Sequence, residues 1–475
     1  MVTSLTRREV LALLGASSAH FLLGCDSARP TTSSGNGLPK VAVVGGGISG
    51  VLTAWLLDGQ YDVTLYESED ELGGNVDTVA VNVRGQSVLV DLGAQYVHPG
   101  LYPNYFKLLK LLGIENDDPA KSDLFQSTSS FTLFAKGEAT PRFVSPILDT
   151  RPWTLAESWN GDGVNALMKI NSAAKTLDVD ASGWGLTLAD WCDQIGLTAN
   201  QRDNILIPWQ ASLFSGRIDQ SHQLSARSTM VFLSRTTGAN PTDPVYYRTL
   251  RHGLGQVIDK TIAQNSTVTV RLKAPVTGIS AVGAQVGLTV GGTSEGPFDH
   301  VVLAAPGHAS YALLKDIPAY AAQAAALQKV EWYDSHLAIH SDNLYNPGGT
   351  ADQPYGSFLN CQIEGNVCQA TMDLSISVAP APDGQPVGLY KSWIDQRSQK
   401  PQQIVHEVKF KHFLPSVQSM AATDALAKVQ GQGGLWFAGG WSQHFDTQET
   451  GLISALQVAK GLLASGTVHG KALAG

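Results

Sequence analysis

Cysteine is scarce in this chain: four in 475 residues, of which only Cys192, Cys361 and Cys368 lie beyond the first 25 positions. Three thiols cannot all pair within one chain. Cys361 and Cys368 are placed to join across a hairpin, which an exported protein would permit, but the simpler reading is three small buried apolar side chains. Neither cysteine nor histidine spacing makes a zinc site. His336 and His340 share one face of an expected strand without a third ligand, so no metal is expected. Charge is sparse too, at 15% Asp, Glu, Lys and Arg, and no basic stripe occurs. With a net charge of −9 and a pI near 5.7, that excludes a nucleic-acid surface. After residue 25 no apolar run reaches the length of a membrane span, and neither a repeat period nor coiled-coil heptads can be found. What remains is a soluble globular composition, 43% apolar, in a chain too long for one simple core. Two intertwined or sequential domains are expected.

Against these absences one segment is dense with signal. Val41-Ala42-Val43-Val44 reads as a buried strand and runs into glycines at 45, 47 and 50, a G-x-G-x-x-G turn. Gly45 permits the tight turn, Gly47 lets a pyrophosphate approach the backbone, and Gly50 lets the next helix pack close to the sheet. The amides at that helix start would face the phosphates. Glu67 closes a second strand, Asp62-Val63-Thr64-Leu65-Tyr66, where an acid accepts ribose hydroxyls. An acid there favours an unphosphorylated adenosine ribose, hence FAD or NAD rather than NADP.

The N-terminus carries a second pattern. Thr6-Arg7-Arg8-Glu9-Val10-Leu11 opens an apolar stretch ending at Leu23, too short to span a bilayer, so residues 1–25 read as an export signal. The arginine pair resembles the twin-arginine signal, whose translocation machinery carries folded proteins, a route that suits a cofactor loaded before export. Leu22-Leu23-Gly24-Cys25 resembles a lipobox, which would make Cys25 a lipidated N-terminus anchored to a membrane. The alternative is an ordinary cleaved signal in which Cys25 is incidental. Residues 26–39 are small, polar and rich in breakers, fitting a flexible linker.

Further along, helical patterns fall around 103–113, 161–176 and 188–207, with scattered aromatics including Trp209 and Phe214 that read as core. Strand and helix patterns of the cofactor type return from 246, with a helix near 255–264, a strand at 268–272 and another across Phe298–Pro306. Strands are expected at 335–341 and 387–394. Leu435-Trp436-Phe437-Ala438-Gly439-Gly440 is the last strand, followed by a loop and a helix from Thr450 to Ala464.

This order of motifs resembles the flavin-dependent amine oxidase superfamily, which also holds phytoene-desaturase-like and related bacterial oxidoreductases. The specific pieces are Gly45, Gly47, Gly50, Glu67 and Gly73-Gly74 at one end. At the other stand Phe437-Ala438-Gly439-Gly440 and Glu449-Thr450-Gly451-Leu452-Ile453-Ser454-Ala455-Leu456. The resemblance implies an α/β fold: a Rossmann-like FAD-binding domain assembled from 40–100, 246–310 and 421–475, and an α+β substrate-binding domain from 101–245 and 311–420. It implies FAD held by Gly45, Gly47, Ile48, Ser49, Gly50, Glu67, Gly73, Gly74, Asn75, Gln95, Tyr96, Gly439, Gly440, Gly451 and Leu452, with Val276 binding the adenine side through its backbone. The last helix would aim its N-terminus at the flavin edge that becomes negative on reduction. Trp441 and His444 lie in the loop placed over the flavin, where they would shape the pocket or accept a proton. Gln95, Tyr96 and His98 follow a strand ending near the ring.

Within the superfamily, Gly73 to Thr78, Tyr102-Pro103-Asn104, His336 to Asp342 and Gly440 to Phe445 resemble an amine-oxidase-like bacterial branch for which carbon–carbon bonds are an alternative target. Three departures stand out. Glu71 replaces an arginine, Gly440 replaces an acid that holds the ribityl chain, and Trp332-Tyr333-Asp334-Ser335-His336 lacks the lysine that positions water at the flavin. The expected activity is hydride transfer from a substrate C–H bond to FAD, with electrons passing to oxygen or a membrane acceptor and a small amine or apolar molecule as substrate. The alternatives are a C–C desaturase or isomerase on a lipid or polyene, an NAD-dependent dehydrogenase, and a non-catalytic flavin-binding envelope protein.

Overall fold

A computed structural model describes residues 37–138, 141–144, 161–180, 182–236, 245–345 and 358–466. The leader, Cys25 and residues 26–36 of the linker lie outside the described residues.

Strand β1 (Lys40–Val44) is followed by helix α1 (Ile48–Leu57) and strand β2 (Asp62–Tyr66). Both strands are apolar almost throughout because both faces of a parallel sheet are covered. The sheet is completed by β9 (Thr269–Arg271), β13 (His300–Leu303) and β19 (Leu435–Phe437), in the order β19-β13-β1-β2-β9 with every pairing parallel. Its strands therefore come from three separated stretches of chain. Helix α7 (Gln448–Gly466) lies against α1, burying Leu452, Ala455, Val458, Ala459 and Leu462 in one core with Val51, Leu52 and Trp55. The Tyr61 hydroxyl donates to the Leu462 carbonyl at 2.8 Å and fastens this contact.

The strand expected across 298–306 is two strands in different sheets. β12 (Thr293–Phe298) belongs to an antiparallel trio with β10 (Val276–Val282) and β11 (Gln285–Val290), and β13 starts only at His300. Asp299 makes the corner: its carboxylate accepts from the Lys40 amide at 2.8 Å and its own amide donates to the Lys40 carbonyl at 3.0 Å.

A second, seven-stranded sheet runs β18-β14-β17-β16-β15-β6-β7. These strands are β18 (Ile404–Phe413), β14 (Trp332–His340), β17 (Tyr390–Trp393), β16 (Val367–Asp373), β15 (Leu359–Glu364), β6 (Phe131–Ala135) and β7 (Phe143–Val144). The single helix expected over 188–207 is broken. It ends at Gln194, where Gly196 turns with φ of 70°, and restarts in a capping box in which Thr198 and Gln201 satisfy each other's amides. A π-helical turn, Arg202–Leu206, then leads into α3 (Ile207–Phe214). Trp209 stacks on Phe131 at 4.5 Å and is core, as expected. The hairpin of β3 (Thr78–Val83) and β4 (Gln86–Asp91) joins the two sheets, because Val81, Val83, Val88 and Val90 pack on Leu337 and Ile339 of β14. Cys192, Cys361 and Cys368 are all free and buried. Cys361 and Cys368 are not opposite one another, since Cys361 pairs with Ala370 and Cys368 with Ile363.

Candidate active site

The glycine turn is built by contact. Gly45 has φ of 111°, a conformation that L side chains avoid, and its amide donates to the Tyr66 carbonyl at 2.8 Å. A Cβ on Gly50 would stand 1.9 Å from the Gly45 carbonyl oxygen, so α1 can approach the turn only without one. At Gly47 the nearest atom to such a Cβ is 3.8 Å away, leaving backbone open toward the slot. No side chain caps α1, and no acid sits in its first turn. Its first amides are thus available to an anion. Glu67 lies beside them, its Oε2 accepting from the Gly46 amide at 2.6 Å. The amide of Ala274 donates to the Glu67 carbonyl at 2.8 Å, which starts the Val276 strand next to the same acid.

The distant motifs arrive at this slot. The Gly73 amide donates to the Gly46 carbonyl at 2.9 Å, and Gly74 lies against the Cα of Gly47. Asn75 accepts from the Ala94 amide at 2.9 Å, drawing in the Gly93–Tyr96 segment. At the start of α7, Gly451 faces Ile48 and Ser49, each about 3.1 Å from where its Cβ would stand. Ser454 Oγ accepts from the Gly439 amide at 3.0 Å and reaches Ser49 Oγ at 3.5 Å. Leu452 is fully buried behind this contact. Two helix N-termini and two glycine turns, 405 residues apart in sequence at the serine pair, converge on one place.

Around it, several buried polar atoms are left without partners, including Gln95 Nε2, Gln448 Nε2 and Trp441 Nε1. Buried orphans of this kind need an explanation. A bound polar cofactor with hydroxyls, carbonyls and ring nitrogens supplies one. The residues present therefore fit FAD.

His444 and Trp441 are placed differently from one another. Trp441 is buried, edge-on to Trp332 at 5.9 Å, and pressed against Gly307 and Gly439. His444 is tied down: its Nε2 meets Asp424 Oδ1 at 2.8 Å, its ring lies 4.5 Å from that of Trp184, and its carbonyl accepts from Ser228 Oγ at 2.7 Å. These contacts fix the orientation of the imidazole and anchor the loop. His98 is also occupied, with Nδ1 accepting from the Gly100 amide at 3.0 Å. Tyr96 packs against Phe358 at 4.8 Å.

Three groups that sequence reading overlooked stand in this region. Lys391 of β17 is buried, and its Nζ donates to the Asp91 carbonyl at 3.0 Å, the Gly93 carbonyl at 3.2 Å and Gln95 Oε1 at 2.9 Å. Burial lowers its pKa while the nearby Asp91 and Asp77 oppose that shift. Three oxygen acceptors call for all three hydrogens of an ammonium, so the cation is the form that satisfies this geometry. Lys391 pairs with Ile339, and Ser335, Leu337 and Ile339 alternate onto one face of β14. The segment Trp332–His336, where the resemblance led one to seek a lysine, has none, and a lysine stands on the adjacent strand on the face that Ser335 shares. A cation inside the apolar run Val387–Ile394 was the available signal.

Asp446 and Asp395 are the other two. Asp446 keeps exposed surface although it stands among many protein atoms. One of its oxygens lies 2.6 Å from where a Cβ on Gly440 would stand, which puts a carboxylate where Gly440 has no side chain of its own. Burial pushes the Asp446 carboxyl up to about 6, the Trp441 amide opposing. A raised folded-state pKa means that the folded protein binds the proton more tightly than the unfolded chain. Its contribution to stability is therefore full below about pH 4 and lost as pH rises through about 6. Urea unfolding of the flavin-free protein across that window is expected to show this downward slope, and Asp446→Asn is expected to flatten it; parallel profiles would refute the assignment.

Residues 48–340 match the family described as flavin containing amine oxidoreductase. The chain belongs to that family. FAD is accordingly its cofactor, and the family is one of FAD-dependent oxidoreductases. That selects FAD over the NAD alternative. Among curated proteins, tryptophan 2-monooxygenase of Pseudomonas savastanoi is 38% identical over 84 residues, 17% of this chain and 15% of that protein. The matched stretch is thus a small part of that relative's length. Among solved structures, a fatty acid isomerase from P. acnes that produces CLA is similar at a TM-score of 0.64 and 13% identity, covering 89% of this chain and 98% of that one. Cyclohexylamine oxidase from Brevibacterium oxydans IH-35A gives 0.59 and 16%, covering 89% and 98%. Identities this low establish a shared fold, an α/β flavoprotein architecture with a parallel sheet and a separate β-rich domain.

Proposed function

We propose that this protein oxidises a small amine, taking hydride from the carbon next to nitrogen, and that it works outside the cytoplasm. The observation that carries the amine reading is the pair of carboxylates, Asp395 and Asp446, near the partly buried Tyr333. Both raise the pKa of its hydroxyl, after burial itself. Among the described residues no lysine, arginine or histidine side chain forms an ion pair with either acid. A space walled by aromatic rings and unneutralised carboxylates favours a cationic guest.

Bound FAD supplies the hydride acceptor. The chain's own residues do the rest. The first amides of α1 would hold the pyrophosphate, and those of α7 the flavin edge where negative charge develops. Gly451 and Ser454 hold these helices together. Lys391 fixes the backbone of residues 91–95 against the substrate-side sheet. Tyr333 and Trp393 supply aromatic walls, and Phe214 and Phe445 pack on each other with ring centroids 6.0 Å apart. Electrons pass on to oxygen or a membrane acceptor. Support for export comes from Arg7-Arg8 and the apolar segment behind them, and support for a lipid anchor from Leu22–Cys25.

The absence of a lysine from Trp332–His336 favours a second reading, C–C desaturation or isomerisation of a lipid or polyene. Flavin absorption recorded anaerobically during substrate addition decides between the two, with cell fractionation reporting location. Amines are expected to bleach the visible band. Bleaching by lipids or polyenes with inertness to every amine would establish the second reading, and inertness to all would leave a flavin-retaining binding protein.

A further inference from the structure

The turn between β8 (Val245–Leu250) and the helix Gly255–Ile262 lies beside the loop that enters β5 (Leu124–Ser129). Between them is an open cleft of about 570 Å³, lined by Lys121, Asp123, Arg251, His252, Gln256 and Lys260 among others. None of the residues placed around the cofactor slot lines it, so the phosphates of FAD do not account for it. A gathering of basic side chains stands out in a chain whose net charge is −9.

The one carboxylate in the cleft wall is already engaged. Asp123 Oδ1 meets His252 Nδ1, while Oδ2 accepts from Gln256 Nε2 at 2.5 Å and from the His252 amide at 3.2 Å. These bonds hold the His252 ring, whose Nε2 has no partner among the described residues. The Arg251 amide donates to the Asp123 carbonyl at 2.9 Å, and its guanidinium carbon stands 5.3 Å from the centre of the Phe125 ring. Among the described residues no carboxylate pairs with Arg251 or Lys260. The Lys260 ammonium donates to the Leu112 carbonyl at 3.3 Å. Neighbouring acids are committed, Asp118 to Lys121 at 3.3 Å and Asp117 to Lys110 at 2.7 Å. The wall itself is pre-set, because the Leu254 amide donates to Asp91 Oδ1 and the Gly255 amide to Thr78 Oγ1, each at 2.9 Å.

Two uncompensated cations and a histidine ring nitrogen thus converge on one opening. Like charges held together in this way are relieved by an anion. A phosphate group bears more charge than a carboxylate and accepts from several directions at once. That suits a guanidinium fork, an ammonium and an imidazole that gives its Nε2 hydrogen outward when protonated. We propose that this cleft binds a phosphate group, with Arg251 and Lys260 as its principal contacts. A soluble phosphate ester and the head group of an anionic phospholipid offer the same chemistry. The site is separate from the cofactor slot and does not rest on the amine reading.

Calorimetry would titrate glycerol 3-phosphate into the flavin-loaded protein, whose cofactor slot is already filled. Sedimentation would follow binding to phosphatidylcholine vesicles with and without phosphatidylglycerol. Both would compare the natural protein with Arg251→Gln/Lys260→Gln and with Lys315→Gln/Lys329→Gln, which removes the same charge from exposed positions outside the cleft. The N-terminal segment is common to all three, so differences among them report the cleft. If the cleft pair shifts the thermal midpoint, Arg251→Gln alone, at an exposed side chain, carries the test. Saturable binding of glycerol 3-phosphate, weakened about tenfold or more only in the cleft variant, is expected for a soluble ester, on the scale of one charge-assisted contact. Vesicle binding that requires phosphatidylglycerol and falls by a similar factor only in the cleft variant would identify a head group as the source. No binding in either assay, binding that survives in the cleft variant, or an equal loss in the control pair would overturn the proposal.

Discussion

Gly50→Ala is expected to yield a protein that no longer retains flavin. The added methyl carbon would stand 1.9 Å from the Gly45 carbonyl oxygen and 3.1 Å from the Ala304 side chain. The first neighbour is backbone, so no rotamer change relieves the overlap. Helix α1 must move off the turn, at a cost toward the upper end of the 1–3 kcal/mol typical of overpacking, or beyond it. That displacement separates the α1 amides from Gly451 and Ser454 of α7, so both phosphate and flavin contacts weaken together. The measurements are the flavin absorbance per mole of purified protein and an FAD titration of the apoprotein, beside the thermal midpoint. Gly185→Ala is the matched control, because nothing lies within 4 Å of its added carbon. It is expected to behave like the natural protein. A yellow Gly50→Ala protein with an unchanged midpoint would show that the close approach of α1 is dispensable.

Lys391→Met is the second large effect. Methionine keeps the length and apolar stem but removes the three hydrogen bonds to Asp91, Gly93 and Gln95. Two main-chain carbonyls and an amide oxygen are then left unsatisfied in a buried place, which costs about 1–3 kcal/mol for each group that finds no new partner. Because relaxation and entering water recover part of this, a net loss of about 3–5 kcal/mol is expected, the range found when one partner of a buried charged contact is removed. Urea unfolding at neutral pH reads the stability loss. Lys391 holds residues 91–95 beside the cofactor slot, so weaker FAD binding and a displaced flavin absorption maximum are also expected. A variant with native urea midpoint and native flavin spectrum would mean that β17 and β4 meet without help from this cation.

How much of this could be read from the chain depends on the range of the interaction. The glycines at 45, 47 and 50, Glu67 and the start of the last helix were legible because each reflects chemistry within a few residues: a left-handed turn, a missing Cβ, an acid closing a strand. Helix patterns at 103–113 and 255–264 correspond to Pro103–Leu111 and Gly255–Ile262 for the same reason. The pattern over 188–207 misled because its apolar spacing continues through Gly196 and Thr198, which end one helix and start another. Phe298–Pro306 misled in a like manner, since two short apolar strands of different sheets are separated only by Asp299. The engagement of His444 by Asp424, twenty residues away, is a tertiary event that the loop sequence does not show.

The sequence by itself determined the cofactor class, the two ends of the chain that must meet around it and the alternating supply of segments to two layers. Those features are written in backbone conformation and hydrophobic period, which are local. Only the tertiary structure decided that Lys391 shares a sheet face with Ser335, that Asp446 fills the place beside Gly440, and that Asp395 opens into a niche walled by Tyr333 and Trp393. Each of these depends on strand order and register between residues tens or hundreds of positions apart. A slip of one residue would turn the same side chains to the opposite face.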